Sequence, residues 1–83
     1  MSNDHGLQDA RVKIGTKQTM RMVSLGLAEE VYVAQDADPR ITSKVVALCN
    51  EASVKITYVD TMKNLGKACG IEVGAAMAAI VRQ

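Results

Sequence analysis

The sequence contains no tryptophan and no phenylalanine, and its only aromatic side chains are Tyr32 and Tyr58. A core must therefore be built from Val, Ile, Leu, Met and Ala, and almost no flat surface is left for stacking on bases or sugars. Any contact with a base would be polar or aliphatic. Long apolar runs are also missing. The longest, Ala75 to Val81, has seven residues, against the roughly 20 a membrane-crossing helix needs. Histidine occurs once, as His5 in the polar opening Met1-Ser2-Asn3-Asp4-His5-Gly6, which removes the usual base of Ser/His and Cys/His dyads. The same opening has neither the basic start nor the apolar stretch of a secretory leader. The expectation is a cytoplasmic protein whose first eight or so residues are mobile.

Cysteine is scarce as well. Cys49 and Cys69 have no CxxC spacing and no neighbouring His, and each falls on the apolar side of a predicted helix. Both are read as reduced core residues rather than metal ligands or redox partners. No H-E-x-x-H, G-x-S-x-G, Walker or dinucleotide-binding glycine motif occurs. Asp36 and Asp38 form a close carboxylate pair, but Pro39 follows at once and makes Asp38 a helix cap. No catalytic residue, metal ligand or cofactor site is nominated, and an enzyme is not expected.

What is present is one small domain over residues 1–83, 48% hydrophobic and 23% charged, with a formal net charge of +1. That near-neutrality conceals an uneven distribution. Residues 11–21 hold Arg11, Lys13, Lys17 and Arg21 without an acid, and residues 61–70 hold Lys63 and Lys67 without an acid. Arg40, Lys44, Lys55 and Arg82 face all nine acidic residues elsewhere. If the two cationic segments meet in space they form a phosphate-binding pole; if they do not, they are ordinary solvated surface.

Periodicity divides the chain into alternating strands and helices. Arg11 to Gly15 alternates like a strand, and Thr16 to Leu25 is amphipathic, with Thr16, Thr19, Met20 and Val23 on one face and Lys17, Gln18, Arg21 and Ser24 on the other. Val31 to Ala34 is a β-branched strand. After the Asp38-Pro39 start, Ile41, Val45, Leu48, Cys49 and Ala52 mark a helix. Val54 to Val59 is a third strand. Thr61 caps a short helix carrying Met62, Leu65, Ala68 and Cys69, with Gly70 at its C′ position. The tail from Ala75 to Val81 is ambiguous, since four alanines favour helix whereas its length and terminal Ile-Val favour a buried strand. The alternation implies an α/β fold with helices over both faces of a sheet.

Two loops could carry binding. At Gly15 the chain passes from strand to helix, and the free N–H groups of the first helical turn make an anion site. Lys17 and Arg21 stand one turn apart on the same exposed face, with Gln18 offering a donor and an acceptor beside them. The same residues also fit a capped helix with a solubilising face. In the second loop, Ile71 and Val73 lie between Gly70 and Gly74, either folded inward or held out to cover a partner. Gly66, inside the preceding helix, marks close packing or a break.

Taken together, IGTKQTMRMV, VYVAQDADP and LGKACGIEVGAA, in this order and at this spacing, resemble the kink-turn-binding ribosomal protein family of the L-seven-Ae and L-thirty-e type, above all its small bacterial YbxF-like members. The likeness runs from about Val12 to Val81. It implies a three-layer α/β/α sandwich with a four-stranded mixed central sheet, and so a tail that is a strand. It also implies binding to RNA whose internal loop, with tandem sheared G·A pairs, bends two helices sharply. By this resemblance the G·A pairs fall to Gly15, Thr16, Lys17, Gln18 and Arg21, and the splayed-out loop nucleotides to Ile71, Glu72 and Val73. The aliphatic pair would pack on an unstacked base while Lys63 and Lys67 face flanking phosphates. Archaeal-type members carry Asn-Glu where this chain has Lys17-Gln18, and Lys in place of Arg21. Lys donates to guanine O6 or N7 but cannot accept, so contacts to guanine N1–H and N2–H₂ would pass to Gln18 or a backbone carbonyl. The expected partner is structured RNA such as ribosomal RNA or a riboswitch, not DNA or a membrane, bound by a monomer. The alternative is a protein-interaction adaptor of the same fold that presents the basic face to an acidic partner.

Overall fold

The alanine-rich tail forms a strand, and it takes the interior of the sheet. In the computed structural model, which describes residues 11–81, the order is β1 (Val12–Ile14), α1 (Thr16–Ser24), β2 (Ala28–Ala34), α2 (Pro39–Ala52), β3 (Lys55–Val59), α3 (Met62–Ala68) and β4 (Met77–Val81). The expectation for the first eight or so residues, His5 included, lies outside the described residues. The four strands are ordered β1-β4-β2-β3. β4 runs antiparallel to both neighbours, with Ile14 opposite Ala78 and Val31 opposite Ala79, whereas β2 and β3 are parallel. A strand covered on both faces has no reason to alternate polar and apolar residues. Met77, Ala78 and Ala79 are accordingly all fully buried.

Those three residues divide between two cores. Met77 and Ala79 pack with Val31, Val33, Val23 of α1, and Val45 and Cys49 of α2. Ala78 packs on the other face with Ala34, Ala75, and Leu65 and Cys69 of α3. The result is the expected three-layer α/β/α sandwich with a mixed sheet. Cys49 and Cys69 lie in separate cores on opposite sides of that sheet, both as free thiols. Burial raises both thiol pKa values, which disfavours the reactive thiolate.

Helix ends follow local chemistry. Asp38 Oδ1 accepts from the Arg40 N–H at 2.9 Å, with Pro39 opening α2, and Thr61 Oγ1 accepts from the Asn64 N–H at 3.0 Å to cap α3. α3 ends with the Gly70 N–H donating to Lys67 O and the Ile71 N–H to Gly66 O. This is the paired bonding of a Schellman motif. α1 closes in the same way, through Gly26 to Val23 O and Leu27 to Met22 O.

Two elements differ from the sequence patterns. β2 starts at Ala28 rather than Val31, because β4 pairs with it along its whole length, with an irregularity between Ala28 and Glu30. On α2 the buried stripe is narrower than the periodic one. Val45 and Cys49 are buried, while Ile41 and Ala52 are exposed. The helix thus meets the sheet through its middle turns. Within α1, Thr19 is fully buried as its face predicts, and its hydroxyl has no partner among the described residues.

Candidate nucleic-acid interface

Because β4 is antiparallel to β1 and β2, and β2 is parallel to β3, strands β1, β2 and β3 all point the same way. Their carboxyl ends, the N-termini of α1, α2 and α3, and the loop entering β4 therefore gather along one rim of the sheet. In open α/β sheets this is the edge where ligands bind. Backbone hydrogen bonds join the parts. The Gly15 N–H donates to Met77 O at 3.0 Å, Ala75 N–H to Met62 O at 3.0 Å, and Ala34 N–H to Ala76 O at 2.9 Å. The three residues from Ala75 to Met77 thus link the starts of α1 and α3 and the end of β2.

Gly15 itself adopts φ 107° and ψ 160°, a left-handed-side conformation that L side chains rarely take. No side chain caps α1. The N–H groups of Thr16, Lys17 and Gln18 have no acceptor within the helix, and they open onto the rim. Lys17, Gln18 and Arg21 are exposed on this helix and Thr16 is half-buried. Lys17 and Arg21 share a face at i, i+4 spacing.

The second loop is held tightly against α3. A Cβ at Gly66 would overlap the Val73 carbonyl oxygen and stand 3.2 Å from Gly74 Cα, and one at Gly74 would stand 3.1 Å from Met62 Cβ. Gly66 therefore marks close packing, not a break, since α3 runs through it unbroken. Lys63 and Lys67, one turn apart on α3, combine with Ile71 and Glu72 to line an open depression of about 280 Å³.

The pair Ile71 and Val73 separates here. Val73 is 70% exposed, but Ile71 is half-buried and packs against the core that contains Leu65. Ile71 occupies the C″ position of the Schellman motif, whose side chain ordinarily packs back on its own helix. Gly70 at C′ is the sequence signal that assigns Ile71 inward. The cationic pole is also smaller than the acid-free segments implied. Lys17, Arg21, Lys63 and Lys67 belong to α1 and α3, two of the three helices that start at the rim, whereas Arg11 precedes β1 at the opposite end, where its carbonyl accepts from the Val81 N–H.

From sequence, the β2–α2 connection carried a capping role at Asp38 and no binding residue, yet the connection is part of this rim. Asp36 Oδ1 accepts from the Met62 N–H at 2.8 Å and so caps α3, while Asp38 caps α2. The two carboxylates serve two different helices. Hydrogen bonds from the Arg40 side chain, then from its backbone N–H, hold the Asp38 carboxyl below its ordinary pKa. Among the described residues no group of three or more His, Cys, Asp or Glu is gathered as metal ligands, and no helix is long and apolar enough to cross a membrane.

Comparison with known proteins places this geometry in a family. The sequence pattern of the Ribosomal protein L7Ae/L30e/S12e/Gadd45 family matches residues 5–83. An "RNA-binding protein" of Geobacillus thermodenitrificans is 57% identical over 82 residues, covering 99% of this chain and 100% of the relative. "RNA-binding protein YbxF" of Geobacillus stearothermophilus is 56% identical over the same shares of both chains. Among solved structures, the Giardia lamblia 15.5kD RNA binding protein superimposes with a TM-score of 0.82 at 30% identity, covering 88% of this chain and 62% of that one. Its full-length match to small bacterial relatives and its shared fold show that the chain belongs to the ribosomal protein L7Ae/L30e/S12e/Gadd45 family.

Proposed function

We propose that the chain is a non-enzymatic RNA-binding protein, acting as a single cytoplasmic, monomeric domain, which recognises kink-turns and holds them bent. One observation carries the reading: the uncapped start of α1 and the segment leading from the Gly70–Gly74 loop into β4 meet on one rim, where the Gly15 N–H donates to Met77 O. Relatives named as RNA-binding proteins support the RNA part of it. Physical reasoning supports the bent part. The major groove of an A-form helix is too deep and narrow for side chains, and this chain has only two aromatic residues, Tyr32 and Tyr58, to offer single strands as platforms. A sharply bent internal loop opens the groove. The α1 terminus, with Lys17, Gln18 and Arg21, then reaches base edges, Val73 covers a splayed nucleotide, and Lys63 and Lys67 meet phosphate.

Such a protein works by population shift. An RNA that is 99% extended becomes 99% bent only if the protein favours the bent form by about 10⁴-fold. The test is fluorescence-detected bending of an RNA with tandem G·A pairs against the same RNA carrying Watson–Crick pairs there. Bending of the first alone is expected. Equal response, or none, would reject kink-turn recognition and leave the basic rim to an acidic protein partner.

The divided loop yields a second expected result. Val73→Asp should weaken kink-turn binding at an unchanged melting temperature, because its side chain already faces water. Ile71→Asp should lower stability by about 1 to 3 kcal/mol, since it places a carboxylate against the core that contains Leu65 and Cys69. Thermal denaturation of both variants beside binding titrations checks this. A destabilised Val73→Asp would contradict the arrangement of the loop.

A further inference from the structure

Arg40 belongs to neither of the acid-free segments, and periodicity marks it only as a polar position near the start of α2. The fold brings it to the rim. α2 begins where β2 ends, and the Ala34 to Ala76 hydrogen bond sets that point beside the loop entering β4. The Arg40 side chain is 88% exposed, yet its guanidinium is fixed by two parallel hydrogen bonds, Nε to Asp38 Oδ1 at 3.2 Å and Nη2 to Asp38 Oδ2 at 2.9 Å. Asp38 is fixed in turn by its bond from the Arg40 backbone N–H. An exposed arginine ordinarily samples many rotamers, and this one is oriented in advance.

The two-point pairing has a directional consequence. It occupies Nε and one hydrogen of Nη2, leaving the Nη1 amino group and the other Nη2 hydrogen pointing away from Asp38. Adjacent, parallel donors of this kind match two oxygens of a phosphate. The positive end of the 14-residue α2 dipole is itself met by the Asp38 carboxylate. The N–H groups of Arg40, Ile41 and Thr42 are already taken by Asp38. The guanidinium, not the backbone, is therefore the group available to a ligand.

We propose that Arg40 is a further RNA contact, one that takes a backbone phosphate at the α2 end of the rim and so extends the interface past the Gly70–Gly74 loop. This inference rests on the kink-turn reading. The experiment measures affinity for a kink-turn RNA over a range of salt concentrations for the wild type, Arg40→Ala and Arg40→Lys, with melting temperatures alongside. Arg40→Ala should bind roughly three- to tenfold more weakly, with a salt slope reduced by about one unit and an unchanged melting temperature. Arg40→Lys keeps the charge and loses the fork, so it should recover the slope but only part of the affinity. Wild-type affinity and slope in Arg40→Ala would overturn the assignment while leaving kink-turn recognition intact. A loss that depends on RNA base sequence, at unchanged slope, would overturn the phosphate contact in favour of a base edge. A wild type with no preference for kink-turn RNA would remove both readings together.

Discussion

Replacing Gly66 by alanine is expected to destabilise the protein by about 2 kcal/mol and to abolish its ordered Gly70–Gly74 loop, although alanine is the better helix former. Two effects oppose each other. Propensity favours Ala over Gly by about 1 kcal/mol in a helix interior. Against that, the new Cβ would overlap the Val73 carbonyl oxygen and crowd Val73 C at 3.1 Å and Gly74 Cα at 3.2 Å, all of them backbone atoms. Overpacking costs about 1 to 3 kcal/mol even where flexible side chains can yield. Here relief requires the loop to leave α3, with loss of the bonds from Ile71 N–H to Gly66 O and from Ala75 N–H to Met62 O. The collision outweighs the propensity. Denaturant midpoints measure the first effect, and kink-turn affinity should fall with it because Val73 and the depression beside Lys63 and Lys67 depend on that loop. An alanine variant as stable as the wild type would mean that the loop does not rest on α3.

Lys17→Ala and Arg21→Ala are expected to weaken binding to a kink-turn RNA by roughly 1 to 3 kcal/mol wherever the side chain reads a base edge. Both are exposed on the free face of α1, so stability should stay within about 0.5 kcal/mol of the wild type. Salt titration separates the possible roles. A residue that meets only phosphate lowers the salt slope by about one unit and weakens all RNAs alike, whereas a base reader changes the preference between G·A and substituted pairs. Gln18→Ala belongs in the same series, because among these three exposed side chains only Gln18 can accept from guanine N1–H or N2–H₂. Full affinity in both Lys17→Ala and Arg21→Ala would exclude α1 as the reading helix.

These expectations differ in how far sequence could supply them. The caps at Asp38 and Thr61, the Gly15 turn and the Gly70 stop depend on a few consecutive residues, and local chemistry was enough to read them. The IGTKQT and GIEVG blocks were legible as candidate sites for the same reason. The tail was not, because four alanines are compatible with helix and strand alike, and only the resemblance to a family pointed to the strand. Its burial in the sheet shows why small residues serve there: β4 has helices packed over both faces. Arg40 was illegible for a further reason. Its significance depends on β2 ending beside Ala76, a relation between residues about 40 apart.

By itself the amino-acid sequence determined which segments are strands and helices in outline, where most of them start and stop, and that six cations cluster in two stretches without acids. Those properties follow from near neighbours along the chain. The tertiary structure decided that three strands end on one edge, that Asp36 reaches across to cap α3 while Asp38 caps α2, and that Arg11 lies away from the rim. Strand pairing made those choices. An antiparallel β4 inserted between β1 and β2 converts distant positions into neighbours, and no local preference records which strand will be inserted where.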